Sequence, residues 1–203
     1  KNEGIVDESL RHRATAGFFG RINYNYKEKY LLELNGRYDG SSSFRTGKQW
    51  AFFSSASAGY RISEEKFWTN IKPYVPTLKV RASYGSVGNQ ALESWYPYIS
   101  TMATETVSWI GTDMNQVSTT TPSAVNPDMT WEKIRTLDIG FDAGFFNNEL
   151  NVTFDWYQRR NVGMLVAGNE IVRYVGIAVA PLENGGDMKT NGWELQIDYN
   201  HSF

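Results

Sequence analysis

The chain carries two histidines, His12 and His201, and these are where nucleophile-activating chemistry would have to start. A Ser-His-Asp relay holds an imidazole between a hydroxyl and a carboxylate. His12 sits in the charged run Arg11-His12-Arg13, and His201 lies almost at the end of the sequence. Both read as solvated surface. Asp138 and Asp142 stand on one face of an alternating segment. Paired carboxylates serve glycoside hydrolysis when set apart across a cleft, but charges on alternate strand positions equally line a water-filled channel. Gly85-Ser86-Val87-Gly88-Asn89 is glycine-rich yet lacks the Lys-Ser/Thr of a phosphate loop. Asn184-Gly185-Gly186-Asp187 lacks the spaced acidic ligands of a calcium loop and reads as a turn. Cysteine is absent, which removes thiolate zinc, disulfides and thiol nucleophiles. The sequence points to no catalytic residue, no metal and no cofactor, and so to a protein that is not an enzyme.

Binding is better represented. Trp95, Tyr96 and Tyr98 cluster in Ser94-Trp95-Tyr96-Pro97-Tyr98, and Trp109 follows. Flat rings stack on sugar faces or peptide side chains, and their polar tips hydrogen-bond. The plainer alternative is that they pack loop on loop. Arg37, Asp39 and Arg159 could orient a polar substrate, or form salt bridges along a wall. With Lys plus Arg at 20 against Asp plus Glu at 22, the net charge is −2, which leaves no basic surplus for nucleic acid.

The elements that must carry these residues show a period of two. Apolar or small residues alternate in seven runs: 14–26, 30–38, 50–62, 78–84, 137–145, 150–156 and 193–199. The 36 positions so selected contain no charge, whereas Arg21, Glu33, Arg37, Asp39, Arg81, Asp138, Asp142 and Asp155 fall between them. Aromatics make up 15% of the 203 residues, and the mean hydropathy is negative. A membrane β-barrel has this profile, because only alternate residues face lipid. No apolar run approaches the roughly 18 residues of a membrane helix.

A soluble carbohydrate-binding β-sandwich would also have one apolar face per strand. Its bulk, however, belongs in the middle of the strands. Here Tyr38, Trp50, Phe52, Tyr84, Trp156 and Trp193 lie at one set of ends, and Tyr24, Tyr26, Tyr30, Tyr60, Phe145 and Tyr199 at the other. Two aromatic girdles mark two membrane interfaces. Connections alternate too. Lys27–Lys29 and Phe146–Glu149 are tight turns, and 63–76 contains Ser63-Glu64-Glu65-Lys66, read as a capped helical turn. The opposite connections are longer, with outer loops at about 85–132 and 160–188. The fold class expected is all-β, an antiparallel transmembrane β-barrel, with residues 1–13 a charged lead-in and 14–203 part of the barrel. Seven strands leave two open edges, which do not survive in lipid, so a larger closed barrel is expected. The alternation from Trp193 to Phe203 resembles a final strand, and whether Phe203 is the true C-terminus stays open.

Several stretches carry a family resemblance: Phe19-Gly20-Arg21-Ile22-Asn23-Tyr24, Leu34-Asn35-Gly36-Arg37-Tyr38-Asp39-Gly40-Ser41-Ser42, Ala58-Gly59-Tyr60-Arg61-Ile62-Ser63-Glu64-Glu65, Ala82-Ser83-Tyr84-Gly85-Ser86-Val87-Gly88-Asn89-Gln90 and Asn126-Pro127-Asp128-Met129-Thr130-Trp131-Glu132. In that order the chain resembles the SusC/RagA class of TonB-linked outer-membrane transporters. Ser54 and Ser43 depart from it, where proline and arginine are common. The resemblance implies a 22-stranded barrel in the bacterial outer membrane, a plug, a TonB-contact segment outside this stretch, and a SusD-like surface lipoprotein as lid. It implies import of oligosaccharide or peptide cargo by gated translocation.

Overall fold

The computed structural model describes residues 12–90, 92, 94–107, 116–168 and 180–201. Among them, seven strands form one antiparallel sheet in the order β1-β2-β3-β4-β7-β8-β9. They are β1 (Thr15–Tyr26), β2 (Tyr30–Ser41), β3 (Trp50–Arg61), β4 (Thr77–Asn89), β7 (Glu132–Phe145), β8 (Leu150–Ala167) and β9 (Leu182–Tyr199). A separate hairpin, β5 (Thr104–Val107) with β6 (Gln116–Thr119), lies in the loop between β4 and β7.

Register is where the sequence pattern gains physical force. Leu34 pairs with Ile22 on one side and Ala56 on the other. Ala82 pairs with Ala58 and with Ile139. Trp156 pairs with Ile139 and with Trp193. Each of the six ladders thus joins the apolar set of one strand to the apolar set of the next. A slip of one residue anywhere would send a whole strand's apolar side chains to the other face. The parity change at β7, where odd residues take over, is absorbed by its pairing with even residues on both β4 and β8.

Nothing covers this face among the described residues. Phe18 is 70% exposed, Ile22 66%, Trp193 68% and Ile197 61%. A sandwich would bury them under a second sheet. Large contiguous apolar surface calls for a partner phase. The buried core is instead small and lies beyond the strand middles: Phe44, Phe53 and Trp131, with Ala51 and Leu92 against them.

The turns follow from local chemistry. Lys27 (φ 52°) and Glu28 (φ 55°) close β1 onto β2, and Phe146, Asn147 and Asn148 (φ 50°, 57° and 68°) close β7 onto β8. Left-handed backbone at the central positions matches the twist of a tight hairpin, and Asn tolerates it well. The connection after β3 differs from expectation. It holds two short 3₁₀ turns, Ile62–Glu64 and Lys66–Trp68, and Ser63 caps neither; its side chain is buried. Arg61 occupies the first cap position without a side-chain bond. The ladders also run past the limits drawn from alternation: β4 reaches Asn89, β8 reaches Ala167 and β9 starts at Leu182. In these extensions apolar and polar residues no longer alternate: β8 runs Gln158-Arg159-Arg160-Asn161 and then Met164-Leu165-Val166-Ala167, so period two leaves no hydropathy trace.

Candidate functional site: the inner wall and the outer loops

The face opposite the apolar one carries polar side chains on every strand, with Phe19, Leu31 and Phe53 interspersed. Near its centre Arg81 Nη2 lies 2.6 Å from Asp155 Oδ2 and 3.4 Å from Asp142 Oδ1. The three residues come from β4, β7 and β8 and converge because Lys79 pairs with Asp142 and Arg81 with Gly140, which pairs with Asp155. Gly140 is required there. A Cβ at that position would strike the Asp155 carboxylate.

On β1 to β3 a second polar patch forms. Arg21 Nε donates to Asn35 Oδ1 at 2.8 Å, and Asn35 Nδ2 donates to Glu33 Oε1 at 2.8 Å and Ser55 Oγ at 3.3 Å. Arg37 makes a two-pronged contact with Asp39 on its own strand, both bonds at 3.1 Å. It stands between Phe19 and Phe53 in register, with Phe19 84% exposed. Arg37 and Asp39 are therefore brought together. Arg159 sits four ladders away, exposed and level with Thr136 and Thr190.

The loop aromatics gather elsewhere. Trp95 and Tyr96 line a cavity of about 750 Å³ with His12, Ile99, Asn126 and Met129. Tyr96 donates its hydroxyl proton to the His12 carbonyl oxygen. Tyr98 meets Tyr96 edge-on, centroids 6.2 Å apart, and reaches the Ser42 carbonyl at 3.5 Å. Trp109 lies outside the described residues. His12 thus touches a loop through its backbone, and His201 Nδ1 lies 3.2 Å from Glu149.

Two features escaped the residue pattern. Trp131 stacks obliquely on Phe44 (5.2 Å) and edge-on to Phe53 (5.7 Å), and its indole N–H donates to Gln49 O at 2.9 Å. This ties the 42–49 loop to the approach of β7. Glu65, in the short 3₁₀ connection, accepts from Lys29 Nζ at 3.0 Å and from the Tyr30 hydroxyl at 3.2 Å. The Lys29 bond, more than Tyr30, holds its carboxyl below the ordinary range.

Residues 5–203 match the family model described as TonB dependent receptor-like, beta-barrel. The chain belongs to that family. It is 36% identical over 183 residues to TonB-dependent receptor P26 of Formosa agariphila, covering 90% of this chain and 18% of that protein. It is 30% identical over 185 residues to TonB-dependent receptor SusC of Bacteroides thetaiotaomicron, covering 89% and 18%. Among solved structures it resembles the RagAB peptide transporter, with a TM-score of 0.76, 29% identity and coverage of 91% of this chain and 20% of that one. The siderophore receptor PirA of Pseudomonas aeruginosa, at 12% identity and a TM-score of 0.58, shares the fold. The chain spans about a fifth of the length of these relatives. It is an outer-membrane TonB-dependent receptor barrel segment of SusC/RagA type, and its open sheet is seven strands of a barrel wall.

Proposed function

We propose that this wall segment serves a SusC-like importer that moves oligosaccharide or peptide cargo by binding and gated translocation, without bond chemistry. The observation that carries the reading is the unbroken apolar face across six ladders, backed by a face that is polar at most positions. Lipid takes the first, and an aqueous lumen the second.

The aromatic rows support this placement. From Tyr60 the ladders lead through Val80, Phe141 and Phe154 to Leu195, yet the girdle residue on β9 is Tyr199, four positions nearer the turn. Over those four strand steps at ~4.8 Å, with ~3.3 Å per residue, the stagger corresponds to a tilt of about 35°, whereas Tyr26, Tyr30 and Tyr60 stand level across β1 to β3. Membrane barrels tilt by about 35–45°. Tyr24, Tyr26, Tyr30, Tyr60 and Tyr199 then mark the inner interface, and Tyr38, Trp50, Tyr84, Trp156 and Trp193 the outer one.

Cargo would meet Trp95, Tyr96, Tyr98 and Trp109 on the outer loops and pass Arg37, Asp39 and Arg159 on the wall. Partners in this reading are a SusD-like lipoprotein above the loops and TonB acting through other parts of the protein. SusC and the RagAB peptide transporter stand behind the two cargo classes. The test is uptake by the full-length receptor with its lipoprotein. Trp95→Ala should lower uptake of its glycan or peptide about fivefold at limiting cargo, since an aromatic stacking contact is worth roughly 1 kcal/mol. Unchanged uptake and binding would remove the loop cavity from the route.

A further inference from the structure

Above Trp156 and Trp193 a row of cations crosses the outward face. In the strand register Arg135 stands opposite Arg160, and Arg160 opposite Lys189. Each keeps the outward parity of its strand: Arg135 with Leu137 and Ile139, Arg160 with Trp156, Lys189 with Trp193. Lys133 adds a fourth cation two residues beyond Arg135 and level with Gly88 and Val162. All four are exposed. Among the described residues none forms an ion pair. The adjacent carboxylate, Asp187, accepts from the Gly163 backbone N–H at 2.9 Å where β8 bulges.

Like charges directly opposite one another on a sheet repel and destabilise it. Three in register, without carboxylates between them, call for an anion from outside the chain. Their height selects it. Arg160 and Lys189 lie four residues beyond the two tryptophans, about 13 Å along the strand and so on the order of 10 Å above the ring level. That is headgroup depth on the outer side. A second copy of this chain docked across a twofold axis here would bring cations against cations. We propose that Arg135, Arg160 and Lys189, assisted by Lys133, form a binding site for the phosphate groups of a phosphorylated glycolipid of the outer leaflet. Arg offers forked donors suited to phosphate, and Lys adds a mobile point charge. Gln158 and Asn191, paired in the row beneath, offer amides for the sugar to which the phosphate is attached.

The inference rests on this face lying in lipid, and it is independent of the cargo. The experiment uses the full-length receptor in mild detergent, titrated with purified lipid A in phosphorylated and dephosphorylated forms and read by native mass spectrometry. Correct barrel folding is checked for every variant by its heat-sensitive gel mobility. The triple variant Arg135→Gln, Arg160→Gln, Lys189→Gln should bind phosphorylated lipid A on the order of a hundredfold more weakly, and each single variant about fivefold. Should the triple variant not fold, the single variants carry the test. Lys66→Gln, at the inner turn, should bind as the parent does, and dephosphorylated lipid A should bind the parent no better than it binds the triple variant. Equal binding of both lipid forms, or undiminished binding by the variants, would overturn the site. Displacement by millimolar inorganic phosphate would overturn the lipid assignment in favour of a free-anion site.

Discussion

Trp156 stands directly opposite Trp193 across the β8–β9 ladder, and beneath them Phe154 faces Leu195 and Val152 faces Ile197. The two rings and the aliphatics below them form a strip with no protein over it among the described residues. Side chains that bulky are stable in that position only against a non-aqueous phase. Trp156→Ala together with Trp193→Ala should leave the fold intact and lower the stability of the bilayer-inserted full-length barrel by about 2–4 kcal/mol, through lost burial in the interface. Urea unfolding from vesicles of defined thickness measures it.

The Arg81 centre is partly water-accessible, its side chain 34% exposed and that of Asp155 17%. Removing one member of a fully buried pair is worth about 3–5 kcal/mol, and access to water lowers this. Arg81→Met should therefore destabilise by about 1–2 kcal/mol, because it leaves Asp142 and Asp155 facing each other without a counter-charge. The double change with Asp155→Asn should recover part of the loss. Unfolding free energies of the parent, Arg81→Met, Asp155→Asn and the double variant give the coupling directly.

Glu65 gives a pH signature at the inner turn. Its carboxyl titrates below the ordinary value in the folded state because Lys29 donates to it. A depressed folded value stabilises the native state above the unfolded carboxylate range, near pH ~4.3, and this gain is lost as pH falls through the folded value. The stability difference between the parent and Glu65→Gln should be constant above pH ~5 and shrink on further acidification. A difference that grows on acidification would reverse the assigned sign.

Gly88 lies against Phe53 so closely that an added Cβ would enter the ring. Gly88→Ala should push Phe53 off Trp131 and loosen the loop on Phe44, an overpacking effect of about 1–3 kcal/mol. Trp131→Ala should do the same by cavity formation and by leaving the Gln49 carbonyl with the Ser41 N–H as its one remaining donor among the described residues. In both variants limited proteolysis should cut sooner within residues 42–49, with the strands still protected.

These cases separate what the residue pattern reveals from what it hides. The seven strands and their two faces are legible because lipid imposes a binary rule on every second side chain, so Leu34, Ala56 and Ile139 can be assigned without knowing what they touch. Beyond the outer girdle that rule lapses. The extensions of β4, β8 and β9 lose the alternation, polar runs giving way to the apolar stretch Met164-Leu165-Val166-Ala167, and Arg135 looks like any surface arginine until register sets it beside Arg160. The Arg81 trio is invisible for a different reason. Its members are 61 and 74 residues from Arg81 and meet only through strand order. Trp131 and Phe53 carry apolar bulk on a loop and on the polar face, where alternation assigns none. Tyr96 and Tyr98 fall together as a pair, but their proximity to His12 and Ser42 belongs to loop packing that no local spacing encodes.

Face assignment is the claim on which everything else depends, and adjacent residues on one strand test it. Ala56 lies between Leu34 and Tyr84 on the apolar side, and Ser57 between Glu33 and Ser83 on the polar side. Arginine at each position should be compared in the full-length receptor by folding into lipid vesicles. Ala56→Arg should destabilise the inserted barrel by about 2–4 kcal/mol, the penalty of a charge near the bilayer midplane, and Ser57→Arg by less than about 1 kcal/mol. Equal penalties, or the larger one at Ser57, would contradict the assignment of lipid to the first face and water to the second.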